Sequence, residues 1–488
     1  MRTTMLLALA TLLGPAITAA SAQPKPKRSW PMFGGTPGRN MVNTVERNIP
    51  IDWCIEKGKR KNIKWVAELG SHTYGSPAVA GGKVYVATNN DKPRDPKLKD
   101  HKAVLMAFRE TDGAFLWQIA HDVPFAGHLR RECPSPPTVD GGKLYYFTPS
   151  CEVVCADADK GEVHWRYSTI KELKVQPGRW HCFAPPLASP LVIGDLVFSV
   201  TGNGPDWKGK LVAKAPSFVA LNKRTGKLVW QSNLPGRNII EGQWSSGPAF
   251  ADHGGRRQII FGGGDGVIYS FAPKTGKLLW KCDCLPTRKK KNGSQTDNYF
   301  AGTPVVVGDR LYVGMGVEPF LAVHGTWSYF LCLDITKKGD VSLKSYDAKA
   351  AVNKRSALIW AFGGPVKPRP KDARRVFFGS TMSTAAVHDG LVYIPEHNGY
   401  MHCLDTKTGK HYWTHDFVSG ILGSPLWVDG KVYVANDDSD VVIFAHGRNK
   451  KVLAKMYMDA YEIHTTPVAV SRTLYIATDS KLYAISAR

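Results

Sequence analysis

The chain has 488 residues, with 64 Lys and Arg against 41 Asp and Glu, a net charge of +23, 14 Trp and 10% aromatic residues. Aromatic content at this level excludes a low-complexity disordered chain, because so much apolar surface offsets the ordering entropy of a fold. Length alone suggests about three domains of ~150 residues each, a prior that fails wherever a repeat enlarges a single body.

Taken in chain order, Arg2, the apolar run Met5 to Ile17 and the small residues Ala20-Ser21-Ala22 predict a signal peptide over residues 1–22. The run is cut by Gly14-Pro15 and is too short for an ordinary membrane span, and no Cys follows the cleavage site to carry a lipid. The expectation is a periplasmic or extracellular protein, with residues 23–61 as a leader segment and 62–488 as the folded body. Nine cysteines (54, 133, 151, 155, 182, 282, 284, 332 and 403) follow. Export permits disulfides, but an odd count leaves at least one thiol unpaired, and buried thiols with a few bridges are expected.

From residue 62 onward one unit recurs: a small residue before Pro, an apolar strand, a Gly turn, a strand with Tyr, a third strand, a second Gly turn and a closing Trp. The starts are Ser76, Ser135, Ser189, Gly247, Thr303, Ser383, Ser424 and Thr466. The closing Trp stands at 65, 117, 165, 230, 280, 360 and 413, and the unit ending near Lys451-Val452-Leu453 carries Leu where Trp is expected. Inner segments such as Lys83-Val84-Tyr85-Val86 alternate with period two after Gly turns, which predicts antiparallel strands. Four strands per unit predict an all-β fold, an eight-bladed antiparallel β-propeller. The last unit lacks its closing strand, and Asn62-Ile63-Lys64-Trp65 matches one, so an N-terminal strand is expected to complete the last blade and close the ring. Insertions are expected in the fifth blade and around residues 88–102 and 365–375.

The repeat Ala-x-Asp-x-x-x-Gly-x-x-x-Trp, clearest at 107–117, 220–230 and 403–413, resembles that of the pyrroloquinoline-quinone (PQQ)-type eight-bladed propellers over residues 62–485. Trp30-Pro31-Met32-Phe33 and the Gly-rich stretch after it resemble the leader of many secreted proteins with this repeat. The resemblance implies two kinds of relative: periplasmic quinoprotein dehydrogenases, and non-catalytic scaffolds such as the propeller lipoprotein of the outer-membrane barrel assembly machine.

A quinone enzyme of this type needs PQQ, usually calcium with its hard oxygen ligands, and a carboxylate base. By the resemblance, Asn203 in Gly202-Asn203-Gly204-Pro205-Asp206-Trp207 stands at the calcium Asn, and Glu152 in a shorter loop stands at the calcium Glu. Trp244 in Glu241-Gly242-Gln243-Trp244-Ser245 precedes the base position, which is Ser245 and not Asp. A Ser cannot serve unaided as the base for an alcohol hydroxyl, so the resemblance implies lost alcohol oxidation. Glu152, Asn203 and Trp244 are the candidate cofactor residues, with Glu152 and Asn203 as candidate calcium ligands. No catalytic residue is assigned.

Other motifs read as structure. Gly262 to Gly266 precedes no helix and reads as a hairpin, not a nucleotide loop. Asp437-Asp438-Ser439-Asp440 reads as a solvated turn, His411 and His415 flank a strand end without forming a metal site, and the remaining histidines read as surface or satisfied core. Basic clusters at 57–61, 288–291, 367–375 and 448–451 fall in loops and extensions. Cell-envelope proteins or an acidic envelope surface are the expected partners, and export disfavours nucleic acid. The function expected is a binding or assembly scaffold, with a PQQ- and calcium-dependent oxidoreductase as the alternative.

Overall fold

The computed structural model describes residues 28–487 except 99, 124–132, 179–187, 207, 240–245, 287–297, 317–327, 365 and 367–376. The signal peptide and the extensions around 288–291 and 367–375 therefore lie outside the described residues. Eight antiparallel sheets form eight blades. Blade 1 comprises strands Ala78–Ala80, Lys83–Asn89, Lys102–Arg109 and Phe115–Asp122, and the later blades repeat this order from the inner strand outward. Blade 8 is built from Val468–Val470, Thr473–Ala477 and Lys481–Ile485, closed by Ile63–Glu68 through antiparallel pairing such as Ala67 with Leu482. The N-terminal strand thus closes the ring, as the unit pattern predicts.

The repeat residues explain how blades join. In seven blades the closing Trp pairs across the sheet with a small residue of the third strand: Ala484, Ala107, Cys155, Ala220, Ser270, Cys332 and Cys403. On the other side of that small residue stands an aromatic residue of the second strand in six of them, as in Tyr312–Cys332–Trp360. The two rings lie 5.8–6.1 Å apart, the tilted spacing that aromatic pairs favour. Three cysteines are therefore spacers between rings, and all eight described cysteines are free thiols. The few expected bridges do not occur among them, while Cys182 lies outside the described residues.

Six of the seven closing Trp residues also reach the next blade, while Trp280 donates to the Gln258 side chain of its own blade at 2.7 Å. The indole N–H groups of Trp65, Trp117, Trp165, Trp230, Trp360 and Trp413 donate to carbonyls of the neighbouring third turn, at Glu110, Asp159, Lys223, Pro273, Thr406 and Gly447. Blade 7 has no Trp. Its third turn is one residue longer, so Ala454, not Leu453, stands opposite Ile443 at the Trp register, which corrects the alignment by one residue. The reason is visible in the ring closure: blade 8 joins its third and fourth strands from opposite chain ends, so no turn is present there to receive an indole. The bulkier Ile443 takes the place of the small spacer.

The starts are clasps. The N–H groups of Thr466, Ser424 and Thr384 donate to the hydroxyls of Ser76, Thr466 and Ser424 on the next blade, at 2.9–3.0 Å. Inside this ring the leader runs past all eight inner strands in order. Trp30 bridges Val79 of blade 1, and Val139 of blade 2 donates to the Pro31 carbonyl. Arg39 donates to the carbonyls of Ser189 and Pro190 in blade 3 and of Pro248 in blade 4. Phe250, Val306 and Trp427 donate to the carbonyls of Pro37, Gly38 and Met41, and Val387 donates to the Asn40 side chain, which covers blades 4 to 7. Asn43 donates to Ala469 of blade 8, and Glu46 caps the turn at Ser471-Arg472. The leader thus adds hydrogen bonds to inner strand edges that would otherwise face the channel. Nothing in its irregular sequence predicts this.

Candidate functional site at the open mouth

The leader lies against the inner strands, and the candidate residues lie at the mouth formed by connections between blades and by the second turns within them. Glu152 opens the third strand of blade 2 beside its second turn. Its carboxylate faces the Arg166 guanidinium at 3.2 Å, and the same Arg166 donates to His121 Nδ1 at 2.9 Å. The other ring nitrogen of His121 lies 3.0 Å from the Tyr146 hydroxyl. Burial, reinforced by the Arg166 charge, drives the His121 pKa down to about 3, so this imidazole is neutral: it accepts from Arg166 and donates to Tyr146.

Asn203 lies in the second loop of blade 3 and is buried. Its amide oxygen accepts from the Gln176 N–H and its amide nitrogen donates to the Ala215 carbonyl, both at 3.3 Å. The two blades are stitched beside these residues by Thr169, whose hydroxyl meets the carbonyls of Cys151 and Thr201 at 3.0 and 2.9 Å. The neighbours of Glu152 and Asn203 are thus brought to adjacent loops, while the two side chains keep separate partners. Trp244, with Glu241 and Ser245, lies outside the described residues.

These donors do not fit a calcium–quinone pair as they stand. Calcium takes six to eight oxygens, whereas the Glu152 carboxylate is engaged by a cation and both polar atoms of the Asn203 amide are engaged by backbone. Among the described residues no group of three or more His, Cys, Asp and Glu side chains is arranged to hold a metal ion.

Sequence reasoning missed a second group across the mouth. His464 Nε2 lies 3.3 Å from Asp437 Oδ1 of blade 7, and its Nδ1 lies 3.4 Å from Glu462 Oε1. The same Glu462 oxygen lies 3.3 Å from His72 Nδ1, in the connection from blade 8 to blade 1. Tyr74 stacks on the His464 ring at 4.8 Å. His397, in the second turn of blade 6, has its pKa lowered chiefly by burial, against the opposing pull of Asp437. The segment at 437–440 is a turn with Asp438 exposed, as expected, but the half-buried Asp437 also joins an alternation of imidazoles and carboxylates. The only sequence signal was the recurrence of His and acidic residues in connections of consecutive blades, with no shared motif.

The hairpin reading of Gly262 to Gly266 holds, whereas His411 and His415 stand inside a strand instead of flanking its end. Gly262 to Gly266 joins two strands of blade 4, with Asp265 accepting from the Tyr269 hydroxyl at 2.8 Å. His411 and His415 lie within one outer strand, His411–Asp416. No helix among the described residues is long and apolar enough to cross a membrane.

Comparison with known proteins agrees with this architecture. The chain is 25% identical over 433 residues to the tetrathionate hydrolase of Acidithiobacillus ferrooxidans, covering 83% of this chain and 71% of that protein. It is 23% identical over 397 residues to the outer membrane protein assembly factor BamB of Shewanella oneidensis, covering 76% of this chain and 86% of that protein. The crystal structure of the quinohemoprotein alcohol dehydrogenase from Comamonas testosteroni superposes with a TM-score of 0.63 at 14% identity, over 94% of this chain and 81% of that one, a likeness of fold. The family model described as outer membrane protein assembly factor BamB matches residues 101–328 and 348–488, more than half of the chain, and the protein belongs to that family of PQQ-like propellers.

Proposed function

We propose that the protein is an extracytoplasmic binding or assembly scaffold, without intact alcohol dehydrogenase chemistry, whose open mouth and loops engage cell-envelope proteins or an acidic envelope surface. The observation that carries this reading is the pairing of Glu152 with Arg166: a carboxylate held at 3.2 Å by a guanidinium is neutralised at the position where a quinone enzyme needs a calcium ligand. Ser245 at the base position and the engaged amide of Asn203 support it. The BamB-type relatives, named as assembly factors, agree with it.

The alternative is a PQQ- and calcium-dependent oxidoreductase using Glu152, Asn203 and Trp244. It draws on the Thr169 stitch, which sets the loops of Glu152 and Asn203 side by side. Affinity capture from detergent-solubilised envelope fractions, with the full chain expressed for export, tests the scaffold reading. Reproducible recovery of defined envelope proteins is expected, and their loss on substitution of mouth residues such as Asp437 would tie them to the mouth. Capture of nothing above a control propeller would contradict the reading.

A further inference from the structure

The rim opposite the mouth carries a regular chemistry. In blades 3, 4, 6 and 7 the third turn is seated on the indole of the preceding blade, so the groups it displays are held on a rigid ring. The acidic residue that this turn carries in blades 2, 5 and 6, at Asp157, Asp334 and Asp405, is replaced in blades 3, 4 and 7 by Asn222, Ala272 and Ala445. The exposed cations Arg224 and Lys227 of blade 3, Lys274 and Lys277 of blade 4, Lys410 of blade 6 and Lys451 of blade 7 have no carboxylate within ion-pair distance among the described residues. Blades 1 and 2 differ, because Arg109 is paired with Asp112 at 2.7 Å and Lys83 with Asp159 at 2.6 Å. These cations therefore form an arc from blade 3 to blade 7, interrupted at blade 5.

Beside these cations stand aliphatic side chains that no core claims. Leu228, Val229, Leu278 and Val452 are 38%, 46%, 38% and 44% exposed, each on the first residues of an outer strand. A polyanionic chain needs the cations alone. Cations alternating with aliphatic groups on one rigid rim match a bilayer interface, where anionic headgroups meet acyl chains.

We propose that this arc docks on an anionic lipid surface, with the mouth turned away from the bilayer. The inference goes beyond the scaffold reading and does not depend on it, since the arc and the mouth lie at opposite ends of the blades. The full chain, expressed for export and purified, is tested by co-sedimentation with phosphatidylcholine vesicles with and without phosphatidylglycerol, across a salt series. Binding is expected only with phosphatidylglycerol and weakens as salt rises. The triple variant Lys227→Gln, Lys277→Gln, Lys410→Gln is expected to bind less tightly by about fivefold per cation removed. The pair Leu228→Ser, Leu278→Ser is expected to weaken binding while keeping the salt slope, with unchanged unfolding midpoints showing that both variants fold. Equal binding to both vesicle types, no binding to either, or insensitivity to the lysine substitutions would overturn the proposal. So would an aliphatic variant that binds vesicles and dextran sulfate as the unaltered protein does, the behaviour of a general polyanion site.

Discussion

The indole of Trp360 lies flat under Gly409 of the next blade, so close that a Cβ on Gly409 would meet the ring at 2.7 Å. The same contact recurs between Trp65 and Gly113, Trp117 and Gly161, Trp165 and Gly226, and Trp230 and Gly276. Gly and Trp are thus one interaction read twice, across a blade boundary. Gly409 also sits at φ +70°, a region costly to a side chain. Gly409→Ala is expected to destabilise the protein by roughly 2–4 kcal/mol, from the left-handed backbone and the displaced ring together. Gly430→Ala, at the same φ with open space around it, is expected to cost only about 1–2 kcal/mol. Urea unfolding of both variants checks this, and equal losses would contradict the packing account.

Cys155, Cys332 and Cys403 separate a Tyr from a Trp in their blades. Burial pushes their thiols up to about 11, 12 and 12. The thiolate is the reactive form. These three thiols are therefore expected to resist a thiol reagent at pH 8 in the folded protein and to react in denaturant. Cys403→Ala is expected to cost about 1 kcal/mol and Cys403→Leu distinctly more, because added bulk must part the rings.

His121 predicts a pH dependence of opposite sign to that of an ion-paired histidine. Its folded pKa of about 3 lies below the unfolded value near ~6.5, so the unfolded chain binds the extra proton between those values. Its neutral form costs the fold nothing above pH ~6.5, and stability falls as pH drops from there toward 3. In His121→Gln the loss of stability between pH 7 and pH 5 is expected to be smaller than in the parent. An unchanged or larger loss would contradict the assignment.

Arg39 is fully buried, at φ +63°, with its guanidinium donating to the carbonyls of Phe33, Ser189, Pro190 and Pro248. Burial alone lowers its pKa to about 9, and four carbonyls hold the charge in place of a carboxylate. Arg39→Met leaves those carbonyls without a donor in the channel. A loss of roughly 3–5 kcal/mol is expected, with faster proteolysis of the leader as the second readout.

The propeller was legible because its blade boundary is encoded locally: Gly and Trp recur at a constant offset, and period-two strands lie between them. Leu453 was misaligned by one residue because the third turn of blade 7 is one residue longer than the constant offset of its neighbours, and without a closing Trp nothing in the residues marks the insertion. The leader's role was hidden for a different reason. Its contacts with the blades are divided between backbone hydrogen bonds, which any sequence of suitable shape can make, and single side chains, Arg39, Asn40, Asn43 and Glu46, that follow no repeat. Glu152 and Asn203 were found through a motif, but their partners Arg166 and Gln176 come from another strand and another loop. His72, Asp437, Glu462 and His464 belong to connections nearly 400 residues apart at the extremes, and ring closure alone brings them together.

The most direct test of the scaffold account is a spectroscopic titration of the purified protein with PQQ and calcium, followed by dye-linked alcohol oxidation. With Glu152 held by Arg166 and Ser245 at the base position, the expected result is no saturable binding and no alcohol-dependent dye reduction. Stoichiometric, calcium-dependent PQQ binding with alcohol oxidation would contradict it.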